Sequence, residues 1–317
     1  MKKSKLGNSQ LEITKVGLGA WAIGGPWLYG WGKQDDNDSV KTIIEALEIG
    51  VNWIDTAPIY GHGHSETVIG KVLKQIGQKP LIATKCGLNW DDKNGRIPLL
   101  KAKSILAECD ASLKRLGIET IDLYQMHFNQ PDEDIEEGFE AMVKCVKAGK
   151  VRYLGVSNFT VEQMERVMKI HPITSLQPPY SMFRRDIEKD ILPFCEKNNI
   201  GVIVYSPLQK GLLSGKFTPA KIAALPADDV RHNDENFKSP LLEANLAAIE
   251  KLVEIAKRNR ITVAQLAIGW TLRNSAVTAA IVGARRKGQI SETAPAADVE
   301  LSDDDINEIE TILKLKN

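Results

Sequence analysis

Cysteine is scarce in this chain: four in 317 residues, at Cys86, Cys109, Cys145 and Cys195. No two form a C-x-x-C pair, and nothing in their spacing resembles a zinc ribbon or a disulfide framework. Reduced thiols in a cytoplasm are therefore the expectation. Net charge is missing too, because 41 basic residues balance 41 acidic ones. That removes the electrostatic case for nucleic acid or an anionic membrane as a partner. No apolar run approaches the roughly 20 residues of a membrane span. The start, Met1-Lys2-Lys3-Ser4-Lys5-Leu6-Gly7, has no apolar stretch of the kind a signal peptide needs. A cytoplasmic protein with a small-molecule partner is expected, with its oligomeric state left open.

What is present is the composition of a soluble enzyme, 43% apolar and 26% charged. After a short hairpin predicted around Gly7-Asn8, strand and helix patterns alternate. Strand-like runs fall at 15–19, 53–56, 81–85, 121–127, 153–157, 173–177, 202–206 and 279–283. They are continuously apolar, as strands buried on both faces of a parallel sheet are. Helices are expected at 39–49, 104–116, 135–148 and 186–198. Two more are expected after the capping-box pairs Thr160/Gln163 and Thr262/Gln265. Eight such strands in alternation predict one α/β domain over residues 1–317, a (β/α)8 TIM barrel with a short N-terminal hairpin and extra C-terminal helices. The rival is an open doubly wound sheet, suggested by Gly17-Leu18-Gly19-Ala20-Trp21-Ala22. That dinucleotide fingerprint requires a helix to open at its glycines, and the following Ile23-Gly24-Gly25-Pro26-Trp27 cannot supply one. Three long loops, 24–38, 87–98 and 211–240, are expected to carry function. The first two follow strands one and three and so lie on the C-terminal face.

Four polar residues stand at or just past the ends of the second, third and fourth strands: Asp55, Tyr60, Lys85 and His127. In a barrel those positions converge on one mouth. A phenol with a free pKa of about 10 is a poor acid, but an ammonium held beside it by a carboxylate eases its deprotonation. A histidine nearby can orient a carbonyl oxygen. His62 and His64, with Asp55 or Glu66, offer a zinc-binding alternative without a clearly placed third ligand, and no metal is expected. Asn158-Phe159-Thr160 matches a glycosylation acceptor, which has meaning only in a secreted chain.

Along nearly its full length the chain resembles the aldo-keto reductases. The resemblance is carried by Trp53-Ile54-Asp55-Thr56-Ala57 with Tyr60-Gly61, Glu66 and Gly70, then by Ala83-Thr84-Lys85 and Ile121-Asp122-Leu123-Tyr124-Gln125-Met126-His127. It continues through Gly155-Val156-Ser157-Asn158-Phe159, Tyr205-Ser206-Pro207-Leu208 with Gly211-Leu212-Leu213-Ser214-Gly215, and Ile281-Val282-Gly283-Ala284-Arg285. The resemblance implies reduction of an aldehyde or ketone by hydride from a nicotinamide cofactor. Tyr60 would be the proton donor, Lys85 would lower its pKa, Asp55 would hold Lys85, and His127 would orient the carbonyl.

It also implies the cofactor's place. Ser157, Asn158 and Gln177 would take the carboxamide and Tyr205 would stack on the nicotinamide. Ser206, Pro207, Leu208, Gly211 and Ser214 would wrap the pyrophosphate, and Gly283, Arg285, Arg286 and Gln289 would take the adenosine end. Gly19 and Trp21 complete this set. The basic stretch Arg285-Arg286-Lys287 favours NADP(H) over NAD, since guanidinium recognises phosphate. Glu292-Thr293 replaces a common Glu-Asn near the adenine, and Pro178-Pro179 stiffens the segment after Gln177. A long C-terminal tail that shapes the pocket in some relatives is absent. Trp21, Trp27, Trp31, Trp90 and Phe128 are expected to line the substrate pocket instead. The alternatives are a cofactor-binding regulatory subunit with vestigial catalysis and a metal-assisted barrel hydrolase.

Overall fold

Short aliphatic runs that are apolar on both faces can only be buried between two layers, and the barrel provides both. The computed structural model describes residues 1–77, 79–91, 95–227 and 229–315. Its strands are β1 (Val16–Gly19), β2 (Trp53–Asp55), β3 (Leu81–Cys86), β4 (Ile121–Met126), β5 (Val151–Ser157), β6 (Ser175–Gln177), β7 (Gly201–Val204) and β8 (Val277–Gly283). Each pairs in parallel with the next, and β8 returns to β1, closing the barrel. The hairpin Lys3–Lys5 with Glu12–Thr14 precedes it. Its loop residues Leu6 and Leu11, with Ile13, plug the N-terminal end against Trp53, Leu123 and Ile203.

Alternation along the strands separates two apolar layers. Ile54, Ile82, Tyr124, Leu154 and Val202 face the helices, whereas Trp53, Ala83, Leu123, Ala279 and Ile281 fill the interior. The Trp53 indole occupies the space above Gly17, where a Cβ would lie 2.1 Å from its ring, and its N–H donates to the Thr14 carbonyl at 2.8 Å. Gly155 makes similar room, because a Cβ there would meet Ser175 Oγ at 2.4 Å and Gln125 Cγ at 3.1 Å.

The helices are α1 (Asp36–Glu48), α2 (His64–Leu73), α3 (Ala102–Leu116), α4 (Ile135–Lys147), α5 (Val161–Met168) and α6 (Ile191–Lys197). They continue with α7 (Pro219–Ala223), α8 (Leu241–Arg258), α9 (Val263–Leu272), α10 (Gln289–Thr293) and α11 (Asp303–Lys314). Both expected capping boxes form, at Thr160/Gln163 and Thr262/Gln265. Among the described residues no helix is long and apolar enough to cross a membrane.

The structure departs from the sequence reading in four places. The helix expected over 186–198 is broken into a 3-10 turn, Asp186–Glu188, and α6. Asp190 caps the second piece by accepting from Ile191 N at 2.7 Å, as an aspartate prefers to do over sitting mid-helix. Pro193 fits the first turn of that helix because its missing N–H is not needed there. The loop 24–38 ends early, at the start of α1, whose N-cap is Asp35. The loop 87–98 contains a two-stranded ribbon, Leu88–Asn89 with Ile97–Pro98, and its residues 92–94 lie outside the described residues. The loop 211–240, whose Asp228 also lies outside them, is built around 3-10 turns and α7.

Replacing Gly17 with alanine should force the new methyl into the Trp53 ring. We expect Gly17→Ala to lose about 1–3 kcal/mol of stability through overpacking, read as a lower urea midpoint with an unchanged slope.

Candidate active site

Above the apolar interior lies one polar layer, made by the last inward-facing residue of several strands. The Lys85 ammonium, fully buried, donates to Asp55 Oδ2 at 2.7 Å, to the Thr56 carbonyl at 2.9 Å and to the Tyr60 hydroxyl at 3.3 Å. The other Asp55 oxygen accepts from Gln177 Nε2 at 2.8 Å and Gln125 Nε2 at 3.4 Å. Gln177 also donates to Gln125 Oε1 at 3.1 Å. Tyr60 meets the His127 ring edge-on, with centroids 5.8 Å apart. The four residues singled out at strand ends are thus neighbours, with Lys85 as the floor.

Burial pushes the Tyr60 phenol well above its ordinary pKa, and Asp55 and Tyr205 push the same way. The expected lowering by Lys85 is outweighed, because the desolvation that makes phenolate costly acts on the whole ring end. The phenol is consequently held protonated at neutral pH, the state a proton donor requires. Burial lowers the Lys85 pKa against the opposing pull of Asp55. For His127, burial, Lys85 and Arg96 together hold the imidazole well below its ordinary range, so it is neutral and able to donate or accept.

A cavity of about 1270 Å³ opens over this floor, larger than the usual 300–1,000 Å³ of a small-ligand site. Asp55, Tyr60 and His127 line it, as do Gly19, Trp21, Ser157, Asn158, Gln177, Tyr205 and the run Ser206, Pro207, Leu208 with Gly211 and Ser214. So do Gly283, Arg285, Arg286 and Gln289. Many of these side chains are already tied. Ser157 donates to the Gln177 carbonyl at 2.8 Å, and Asn158 donates to the His127 carbonyl at 3.1 Å while accepting from the Tyr205 hydroxyl at 2.9 Å. Gln289 Oε1 accepts from the backbone N–H groups of Arg285 and Arg286. Arg285 is committed to the loop after β1, donating to Gln34 Oε1 at 3.0 Å and the Lys33 carbonyl at 2.5 Å. Arg286 is exposed and makes no ion pair among the described residues.

A dinucleotide fits this channel. Ser206, Gln209, Lys210 and Gly211 all take left-handed backbone conformations, with φ of 55°, 46°, 52° and 92°, which curls the segment into a concave turn of the kind that holds phosphates. At Gly283 nothing lies within 4 Å of where a Cβ would sit, so the channel there is free of side-chain bulk.

The aromatic wall differs from expectation at one residue. Trp21, Trp27, Trp31 and Phe128 line the cavity, whereas Trp90 does not. Its ring stacks on His62 at 5.1 Å. His64 is not in a loop but begins α2, and its Nε2 lies 2.7 Å from Asp36 Oδ1. Glu66 is buried and taken by the Thr84 hydroxyl and Arg115, each at 2.6 Å. The residues proposed for zinc therefore point to different partners.

Among the residues of the cavity and its floor not assigned from sequence are Gln125, Arg96, Arg231 and Gln34. Gln125 could have been, since strand alternation puts 123, 125 and 127 on one face. Arg96, Arg231 and Gln34 gave no such signal, because their loops fold back over the mouth through contacts far apart in sequence. Arg231 is gripped by Asp229 at 2.6 Å, and its guanidinium lies over the rings of Trp31 and Phe217.

Comparison with known proteins agrees with this architecture. The Aldo/keto reductase family profile matches residues 15–314. The chain belongs to the aldo/keto reductase family, oxidoreductases of carbonyl substrates. It is 38% identical to the aldo-keto reductase YhdN of Bacillus subtilis (strain 168), covering 99% of this chain and 94% of that one. It is 32% identical to the NADH-specific methylglyoxal reductase of Escherichia coli (strain K12), covering 96% of each. The solved structure of the glycerol dehydrogenase AKR11B4 from Gluconobacter oxydans superposes with a TM-score of 0.91 at 39% identity, over 99% of this chain and 95% of that chain.

Neutralising Asp55 would strand the Lys85 charge in a dry interior. We expect Asp55→Asn to lose about 3–5 kcal/mol of stability, and the double variant Asp55→Asn/Lys85→Met to regain part of it in urea unfolding while remaining inactive.

Proposed function

We propose that this protein is an NADP(H)-dependent reductase of aldehyde or ketone carbonyls, reversible with the alcohols, and that Tyr60 is its general acid. The observation that carries this reading is the chain of contacts from Asp55 through Lys85 to the Tyr60 hydroxyl, at 2.7 and 3.3 Å, beneath a channel of dinucleotide size.

The geometry supports a role for each residue. A carbonyl oxygen at the mouth lies between the Tyr60 hydroxyl and the neutral His127 imidazole, which orients it. As charge grows on that oxygen, Tyr60 donates its proton. The Lys85 ammonium then faces the new phenolate at hydrogen-bond range and stabilises it, and Asp55, braced by Gln125 and Gln177, keeps Lys85 in line. A bound nicotinamide cofactor supplies the hydride to the carbonyl carbon. Ser157, Asn158 and Gln177 would hold its carboxamide end and Tyr205 would offer a ring face. The curled segment Ser206–Gly211 would take the pyrophosphate, and Arg286, exposed and unpaired at the far end, supports the extra phosphate of NADP(H). Arg285 supports it less directly, since its guanidinium is engaged by the loop after β1. One relative is named as NADH-specific, which makes cofactor choice the finer part of the proposal.

Tyr60→Phe should abolish NADPH oxidation with any carbonyl while NADPH still quenches tryptophan fluorescence; retained turnover would remove Tyr60 from the acid role. If wild-type protein oxidised no NADPH across a carbonyl panel and instead held a stable protein partner, the regulatory reading would replace the catalytic one. For the cofactor, Arg286→Ala should raise KM for NADPH by about ten-fold, the loss of one charge-assisted phosphate contact, with a much smaller change for NADH. Equal changes for both would refute the phosphate role.

A further inference from the structure

The substrate end of the cavity carries a positive charge with no ion-pair partner among the described residues. Arg96 sits beside the ribbon that follows β3, exposed and lining the same cavity as Tyr60 and His127. Its guanidinium lies over the Tyr29 ring at 4.6 Å and the Phe128 ring at 5.3 Å. Phe128 in turn stacks on His127 with centroids 5.3 Å apart, which puts Arg96 within one aromatic ring of the reacting centre. Three of the carboxylates lining this cavity are already engaged elsewhere. Asp55 is taken by Lys85, and Glu292 pairs with Lys216 at 2.6 Å. Asp35 caps α1 by accepting from Asn37 and Asp38 N–H groups. Among the described residues no carboxylate forms an ion pair with Arg96. Two rings flank the planar guanidinium, and among the described residues none of its five N–H donors has an acceptor.

Two buried polar atoms of the same cavity also lack a partner. Trp27 lines the same cavity, and its indole N–H, which can only donate, has no acceptor within hydrogen-bond range. Trp27 meets Tyr29 edge-on at 5.6 Å, and Tyr29 is one of the two rings that Arg96 lies over. Nδ1 of His127 likewise has no partner. A ligand group matched to this end must bring lone pairs and negative charge.

We propose that the physiological substrate is a carbonyl compound bearing a carboxylate a few bonds from the reducible group, and that Arg96 is the residue that selects it. This rests on the carbonyl-reductase reading above and names its substrate class. The carbonyl lies between Tyr60 and His127, the intervening atoms run past Phe128, and the carboxylate reaches the guanidinium. The influence of Arg96 on His127, whose imidazole it helps to hold neutral, is consistent with that proximity. A carboxylate bound there would offset this effect, so substrate binding itself would ease protonation of His127.

The test uses full-length protein with NADPH and a matched pair of substrates, 4-carboxybenzaldehyde and its methyl ester. They share a ring and an aldehyde and differ in charge. The wild type should show a KM for the acid about ten-fold below that for the ester, the worth of one charge-assisted pair. In Arg96→Met that ratio should collapse to near one, and Arg96→Lys should restore part of it. Benzoate titrated against tryptophan fluorescence should bind wild-type protein and bind Arg96→Met about ten-fold more weakly. The proposal is overturned if the wild type shows no preference for the acid. It is also overturned if Arg96→Met shifts both KM values by the same factor, since Arg96 then only packs between Tyr29 and Phe128. Should neither aldehyde be turned over, the catalytic reading fails on its own, and the benzoate titration still decides whether Arg96 binds a carboxylate.

Discussion

Lys85 and Asp55 face each other at 2.7 Å with their side chains 0% and 4% exposed. Such a pair is dear to bury. Each ion loses its water, and the attraction offsets that loss only where geometry is good and the remaining hydrogen bonds are made. Both conditions hold. Lys85 has three acceptors in Asp55, the Thr56 carbonyl and the Tyr60 hydroxyl, while the second Asp55 oxygen has Gln177 and Gln125. Gly155 serves the same layer, since a Cβ there would meet Gln125 Cγ at 3.1 Å.

The role proposed for Tyr60 makes two opposite demands, and both are met within a few ångströms. Tyr60 must be protonated before the carbonyl accepts its proton, which burial enforces. After transfer the phenolate must be tolerated, which the adjacent ammonium permits. A lysine in water would satisfy only the second demand, and an apolar pocket only the first. His127 stays neutral for a related reason: burial disfavours its charged form, and the cations Lys85 and Arg96 add to that, leaving a polar ring able to orient an oxygen without competing as an acid.

The barrel was legible in the sequence because both layers of a parallel strand leave a mark: continuous apolar runs, with a polar residue where each run ends. The four residues at the mouth were legible for the same reason. Gln125 obeyed the same alternation and was overlooked inside a motif, although it braces Asp55 from β4. Trp90 looked like a pocket residue because it lies in a loop on the C-terminal face, but loop position does not give side-chain direction, and its ring stacks on His62 instead. Arg96, Arg231 and Gln34 were hidden because their placement depends on loops meeting across the mouth. The split of the segment 186–198 was readable from Asp190 and Pro193, which favour a fresh helix start over an unbroken run. The rise in the Tyr60 pKa was not readable at all, since the sequence shows the neighbouring lysine but not the depth of burial that outweighs it.

Alternation gives the polar layer a role in assembly as well. Asp55, Lys85, Gln125 and Gln177 belong to β2, β3, β4 and β6, and each is flanked by residues that face the helices. A slip of one residue in any of these strands turns every side chain to the opposite face. Asp55 or Lys85 would then point into the helix-facing layer, away from its partner and from the glutamines that brace the pair. A misaligned barrel is thereby penalised at the residues proposed for the chemistry. The buried pair doubles as a register mark: a chain that closes its barrel out of step parts Lys85 from Asp55.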